Sequence, residues 1–317
     1  MAFSSESRRV QGWMFPFDAK RGQLIGTGKA VTSPGMEAWT TSLSRDGRKL
    51  AFLAKRSGRW ELWEADLQDE RENPVAADDS YIRNEPQWSP DGSRLSYVRM
   101  KRSTGEVQAV IWSKNRGEEP VTGPSRGGIF VFDWSPDSQW LLAAVENAET
   151  GQSEIWTLPA AGVEAQGKAR KIIPCDTKTN LWQSRFSPDG RWIVFEAEQS
   201  RPNRHSSAIF VTPATGGSWT LITDGKHWDD KPRWSPDGRI IYFLSDRKGF
   251  FNVRGIHFDR VNGKVVGESF QVTSFDNPKF MVADVMPEVG LSLTEDKLIV
   301  TTAQVSGSIW VLDNLDH

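Results

Sequence analysis

The stretch Trp88-Ser-Pro-Asp-Gly92, WSPDG, returns unchanged at 234–238 and as FSPDG at 186–190. Weaker copies stand at 43–47 (LSRDG), 134–138 (WSPDS) and 293–297 (LTEDK). In Ser-Pro-Asp-Gly, Pro presets φ at the second position of a turn, Asp suits the third, and Gly is preferred at the fourth. A Gly there opens a small bulge that matches the twist of the next strand. The motif reads as a joint between two antiparallel strands. Because the same Asp does the same job in every copy, we read it as a turn residue rather than a catalytic or metal-binding carboxylate.

The turn Ser or Thr falls at 44, 89, 135, 187, 235 and 294, in steps of 45, 46, 52, 48 and 59 residues. A period of roughly 40–50 residues with four strands per unit is that of a β-propeller blade. The second unit shows the four strands, a to d. RNEPQWS (83–89) enters the turn and SRLSYVRM (93–100) leaves it; EVQAVIWSK (106–114) follows a polar loop, and EEPVTG (118–123) closes the unit. The 27 Gly and 17 Pro are spread throughout, with no long run of helical period, which also argues for short strands and turns. The expected fold is all-β: a six-bladed β-propeller of four-stranded antiparallel blades forming one domain over 11–317, behind a tail, 1–10. Trp88, Trp134 and Trp234 before the turns (with Phe186 and Leu43 as substitutes), and Trp63, Trp112, Trp156 and Trp310 in strand c, are expected to pack blade against blade rather than to stack on bases.

The two ends are related. VQGWMFPFDAKRGQLIGTGKAVTS (10–33) resembles VRGIHFDRVNGKVVGESFQVTS (253–274), strands c and d of the fifth unit. The chain therefore opens with c- and d-like strands and ends with a, b and c of a sixth unit. Unpaired edges invite aggregation, so the last blade is expected to be closed by both chain ends, with 22–33 as the outermost strand of the blade formed by 288–313. One c-like strand is then surplus, and either 12–18 or 308–314 is displaced. A start in mid-blade fits either an excised domain or a natural closure strand.

The repeated turns, with Ile-Trp or Ile-Phe in strand c (111–112, 155–156, 209–210), resemble the WD-like repeats of the TolB propeller family. The resemblance covers about 11–313. It implies a periplasmic propeller that contacts a peptidoglycan-associated lipoprotein. Similar repeats occur in prolyl-oligopeptidase-type enzymes, oligogalacturonate lyase and bacterial sensor proteins, so the likeness speaks to fold more than to function.

The bulk numbers narrow the partners. A formal charge of −2 gives no reason to expect nucleic acid or an anionic membrane. The one cysteine, Cys175, excludes an internal disulfide and a multi-cysteine metal site. The start, MAFSSESRRVQGWMF, lacks the apolar core of a signal peptide, and no stretch approaches the ~20 apolar residues of a membrane span.

Candidates for chemistry are few. GPSRG (123–127) matches a nucleophile elbow but lies between blades with no helical pattern after it. The four histidines, His205, His227, His257 and His317, form no metal-protease pairing. KHWDD (226–230) is the densest polar-aromatic cluster; His227, Asp229 and Asp230 are a weak metal candidate, read first as a solvated loop. No cofactor is implied.

Strand a carries a pattern. Two residues before the turn Ser or Thr stand Ser42, Gln87, Asp133, Arg185, Arg233 and Ser292, all polar; four before stand Thr40, Glu85, Val131, Gln183, Lys231 and Gly290. Period-two alternation turns these positions toward the axis. Arg185, Lys231 and Arg233, from adjacent units, are the candidate anion site; Ser42, Gln87, Asp133, Glu85, Gln183 and Ser292 complete the lining. Asp133 and Glu85 are also candidates to neutralise those cations. The loops entering strand a and the b–c loops form one face, holding Tyr81, Arg83, Trp182, Arg204, His205, His227 and Trp228, whose aromatics and arginines suit a protein partner. The first expectation is a non-catalytic binding scaffold, either a free envelope protein or the sensory domain of a larger one. The alternative is a lyase or hydrolase acting on an anionic carbohydrate in the channel.

Overall fold

The computed structural model describes residues 2–311 except 57, 77–78, 176–177, 202–203 and 248, and describes backbone alone at 2–6, 199–201, 204–205 and 308–311. The described residues form six antiparallel sheets around an axis, a six-bladed β-propeller. Blade one is Glu37–Leu43, Lys49–Arg56, Arg59–Asp66 and Arg71–Pro74. Blade two is Tyr81–Trp88, Leu95–Lys101, Val107–Ser113 and Gly117–Pro120; blade three is Ile129–Trp134, Trp140–Glu146, Ser153–Pro159 and Arg170–Ile173. Blade four is Thr179–Phe186, Trp192–Arg201, Arg204–Pro213 and Thr220–Leu221; blade five is Asp229–Trp234, Ile240–Ser245, Asn252–Asp259 and Lys264–Gln271. Among the described residues no helix is long and apolar enough to cross a membrane.

The repeated turn is built as its residues dictate. In all six copies the Ser or Thr hydroxyl donates to the Asp carboxylate at 2.5–2.8 Å. In the first five, the Ser oxygen also accepts the backbone N–H that opens strand b, at 2.9–3.0 Å. Gly92 adopts φ +67°, and Ser138, standing where four of the other five copies have Gly, is held at +58°. The aromatic before the turn then reaches its neighbour: the indole N–H of Trp134 donates to the Gln87 carbonyl and that of Trp234 to the Arg185 carbonyl. Phe186 N–H donates to Asp133 Oδ2, and Ser292 Oγ to the Thr41 carbonyl. These bonds stitch the inner strands into a ring.

Every strand a of blades one to five carries a bulge just before its last residues. At it Thr40, Glu85, Gln183 and Lys231 take left-handed φ values of +44° to +56°. An extra residue re-aims the side chains that follow it, so the two polar positions of strand a serve different ends of the channel.

Blade six is closed by both termini. Leu291–Leu293 pairs with Lys297–Val311, which pairs with Ala2–Asp18; Gln23–Leu24 and Lys29–Ala30 form its outer edge on that N-terminal strand. The outer strand thus lies within 22–33, in two short pieces. Residues 12–18 hold the strand c position, and 308–311 are the displaced c-like end. Residues 308–311 continue strand b and pair with 2–5, because the N-terminal strand offers an unbroken partner from Ala2 to Pro16. For the same reason residues 2–10, read from sequence as a tail, are strand. Strand a of this blade is also interrupted: Phe280–Val282 pairs further along the same strand, and a 3-10 turn, Met286–Glu288, fills the gap.

Candidate functional site

The channel opens into two cavities. The turn-side cavity, about 460 Å³, is ringed by Ser42, Gln87, Asp133, Arg185, Arg233 and Ser292, with the turn aromatics and prolines above them. Arg185 is buried; its Nη1 donates to the Ser184 carbonyl at 3.0 Å, while Nη2 has no partner among the described residues. Arg233 donates from Nε to Leu291 O at 2.6 Å and from Nη1 to Pro232 O at 2.8 Å. Among the described residues no carboxylate forms an ion pair with either guanidinium. Asp133, the expected counter-ion, spends one oxygen on Phe186 N–H at 2.8 Å. Burial lowers the pKa of Arg185, partly offset by Asp133 and Glu85. Burial first, and then Arg185 beside it, push Arg233 well below the usual guanidinium range. Burial raises Asp133 and Glu85 above ordinary carboxyls, against the pull of these cations.

The opposite cavity, about 250 Å³, lies where strands a begin. It is lined by Glu85, Gln183, Lys231 and Asp230, by Glu196 and Glu198 of blade four, by Phe130, Phe132, Trp182 and Trp228, and by Met286 and Pro287 of the 3-10 turn. Lys231 therefore parts from the two arginines and opens on the other mouth. Its ammonium lies 3.4 Å from the Pro287 carbonyl and 3.7 Å from Asp230 Oδ2. Burial, and then the Asp230 carboxylate, raise the pKa of Glu196 well above the usual carboxyl range. Against the cost of its own burial, Asp230 is held low by Lys231 and by the hydrogen bond from Glu196.

The face residues divide. Trp182 and Trp228 stand at this mouth, and Phe130 packs edge-on against Trp182 at 5.2 Å. Arg83 is buried, 2.8 Å from Glu118, which also accepts from Arg99 and the Tyr97 hydroxyl; Tyr81 lies over Arg99 at 4.4 Å. That group forms an ion-pair cluster inside blade two, with Tyr81 partly exposed beside it. The side chains of Arg204 and His205 lie outside the described residues, as does all of His317. His227, Asp229 and Asp230 do not converge. Adjacent strand residues face opposite ways: Asp230 enters the channel, Asp229 is buried at 3.4 Å from Arg247, and His227 lies 3.7 Å from Asp246. No metal-ligating cluster occurs among the described residues. Sequence reading missed Glu196 and Glu198. Their signal was present: two acids alternate in the otherwise apolar strand RWIVFEAE (191–198).

Residues 85–270 match the TolB beta propeller domain family. The chain belongs to that family. It is 27% identical over 194 residues to an uncharacterised protein of Agrobacterium fabrum, covering 61% of each chain. It is 29% identical over 257 residues to the Tol-Pal system protein TolB of Bordetella parapertussis, covering 67% of this chain and 55% of that one. The chain thus spans 61% and 55% of these two relatives. Among solved structures, a putative TolB from Agrobacterium tumefaciens superposes with a TM-score of 0.66 at 18% identity, over 95% of this chain and 99% of that one. TolB from Acinetobacter baumannii gives 0.62 at 12% identity, over 94% and 66%. An oligogalacturonate lyase in complex with manganese gives 0.56 at 12%, over 92% and 90%. At these identities the structural likeness establishes fold alone.

Proposed function

We propose that this propeller is a non-catalytic binding scaffold, extracytoplasmic as its family resemblance implies, which takes a protein partner at the mouth where strands a begin. One observation carries the reading: Trp182 and Trp228, each partly exposed, share the wall of one cavity on a rigid ring. Partly exposed indoles around a concavity are the anchors that dominate protein interfaces. Membership of the TolB family supports the same reading, since a relative is named as a Tol-Pal system protein. The test is calorimetric titration with the soluble domain of the host's peptidoglycan-associated lipoprotein. Saturable binding that weakens at least tenfold in Trp182→Ala and Trp228→Ala supports the scaffold; absence of binding to the intact chain overturns this choice of partner.

A second reading rests on a different observation. Arg185 and Arg233 border the turn-side cavity without a carboxylate ion pair among the described residues. Guanidinium groups favour planar recognition of carboxylates, so that mouth is suited to a small anion, and an anionic carbohydrate would enter there if the protein were a lyase. An ultraviolet-absorbing unsaturated product from oligogalacturonate and manganese would favour this enzyme over the scaffold.

A further inference from the structure

The cavity at the strand-entry mouth has features that a protein anchor alone leaves unused. Four carboxyl side chains, Glu85, Glu196, Glu198 and Asp230, share its wall with a single ammonium, Lys231. That ammonium is already engaged by Pro287 O and Asp230. Glu196 and Asp230 hydrogen-bond each other, which leaves Glu85 and Glu198.

Two of the wall's side chains lie deep in it without a hydrogen-bond partner among the described residues. Gln183 is 6% exposed and Glu85 9%, and the side chain of neither makes a hydrogen bond among the described residues. Both line the cavity with acceptor oxygens that no protein donor among the described residues occupies, so an N–H entering from outside would find them free. Both stand at the left-handed position of their bulge, with φ +52° and +56°. A non-glycine residue in that conformation is held there by its surroundings. Lys231 first, and then Arg185 and Arg233, pull on Glu85 through space and without an ion pair among the described residues; the two arginines line the opposite cavity. Trp182 and Trp228 border the same space, and the Trp228 indole N–H is buried without a partner among the described residues. Indole faces attract cations through the ring quadrupole.

We infer that this cavity is a binding site for a compact organic cation, the ammonium or guanidinium end of a basic side chain or of a free amine. Glu85 supplies the buried counter-charge, Glu198 supplies charge nearer solvent, Gln183 accepts one N–H through its amide oxygen, and the two indoles flank the charge. An anion meets four carboxyls here, and a neutral sugar stacks on the indoles but brings no charge to the acidic wall. The inference deepens the partner reading only in what it says a partner would insert; the site stands equally for a free amine.

The test uses isothermal calorimetry with argininamide, spermidine and a short arginine-containing peptide, with glutamate and galactose as controls. Saturable binding of the cations is expected, at least tenfold tighter than either control. Glu85→Gln and Glu198→Gln are each expected to weaken it fivefold or more with an unchanged Tm. If Glu85→Gln does not fold, Glu198→Gln at the half-exposed position carries the comparison. Peptide binding tighter than the free amines identifies a protein side chain as the source, and the reverse order a small molecule. No saturable binding of any cation, equal binding of glutamate or galactose, or equal binding by both variants overturns the site. Argininamide binding without lipoprotein binding leaves the cation site standing and removes only the partner reading.

Discussion

At the scale of single residues, the repeated Asp shows how much one turn can disclose. Ser-Pro-Asp-Gly forecasts its own geometry because every member acts locally: Pro on φ, Asp on nearby N–H groups, Gly on the left-handed position. The structure adds that the Asp also holds the Ser hydroxyl, which in turn caps strand b. Asp91 shows the electrostatic consequence. The Ser89 hydroxyl, assisted by Ser93 and against a small burial cost, brings its carboxyl down to about 2. A folded-state pKa below the unfolded value contributes stability above the unfolded pKa that is lost as pH falls through the folded one. The window for Asp91 therefore runs from roughly pH 4 down to about pH 2. Asn keeps the acceptor oxygen and the turn preference but loses the titration. Asp91→Asn should change stability at pH 7 by about 1 kcal/mol or less and flatten the acid limb of Tm against pH. A variant that unfolds at pH 7 would give the Asp a role beyond the turn.

At the scale of elements, blades one to five were legible because strand, turn and strand recur with the same spacing. The bulge in strand a was not. Its left-handed residues are Thr40, Glu85, Gln183 and Lys231, which share no side-chain chemistry and include no glycine. A β-branched residue such as Thr40 argues against that conformation, so only ring packing places it there. This is why plain alternation put Arg185, Lys231 and Arg233 on one site while the structure divides them between two mouths. In blade six the same position is Gly290, and its glycine has a packing reason. A Cβ there would lie 2.3 Å from both the backbone N and Oγ1 of Thr41 in blade one. The Gly290 N–H also donates to Thr301 Oγ1 at 3.0 Å, which fixes the strand from its other side. Backbone cannot yield as a side-chain tip can, so Gly290→Ala should destabilise by about 2–3 kcal/mol, read from the denaturant midpoint. A loss below about 0.5 kcal/mol would mean that blades six and one meet less closely than described.

At the scale of the whole molecule, the ring depends on a joint that the sequence announced only through the likeness of 10–33 to 253–274. Ala2–Asp18 pairs with Lys297–Val311 through fifteen consecutive residues, from Ala2 opposite Val311 to Pro16 opposite Lys297. Its side chains reach beyond that blade. Phe17 packs against Tyr242 of blade five at 5.3 Å, and the Tyr242 hydroxyl donates to the Ala19 carbonyl at 2.8 Å. Trp13 meets Phe280 at 4.5 Å, and Val10, Phe15 and Phe17 belong to one core with residues of blades one, two and five. Burying those three side chains contributes about 5–9 kcal/mol, comparable with the roughly 5–15 kcal/mol that separates a folded domain from its unfolded chain. Removing 2–33 would also bare the edge of Lys297–Val311, a long unpaired strand of the kind that recruits other chains. The truncated protein should lose its cooperative melting transition and aggregate, and a peptide of 2–33 added in trans should restore part of the transition. If the truncated chain instead melts within a few degrees of the intact one and stays monomeric, five blades close without the N-terminal strand, and the two ends are an ornament on the ring rather than its clasp.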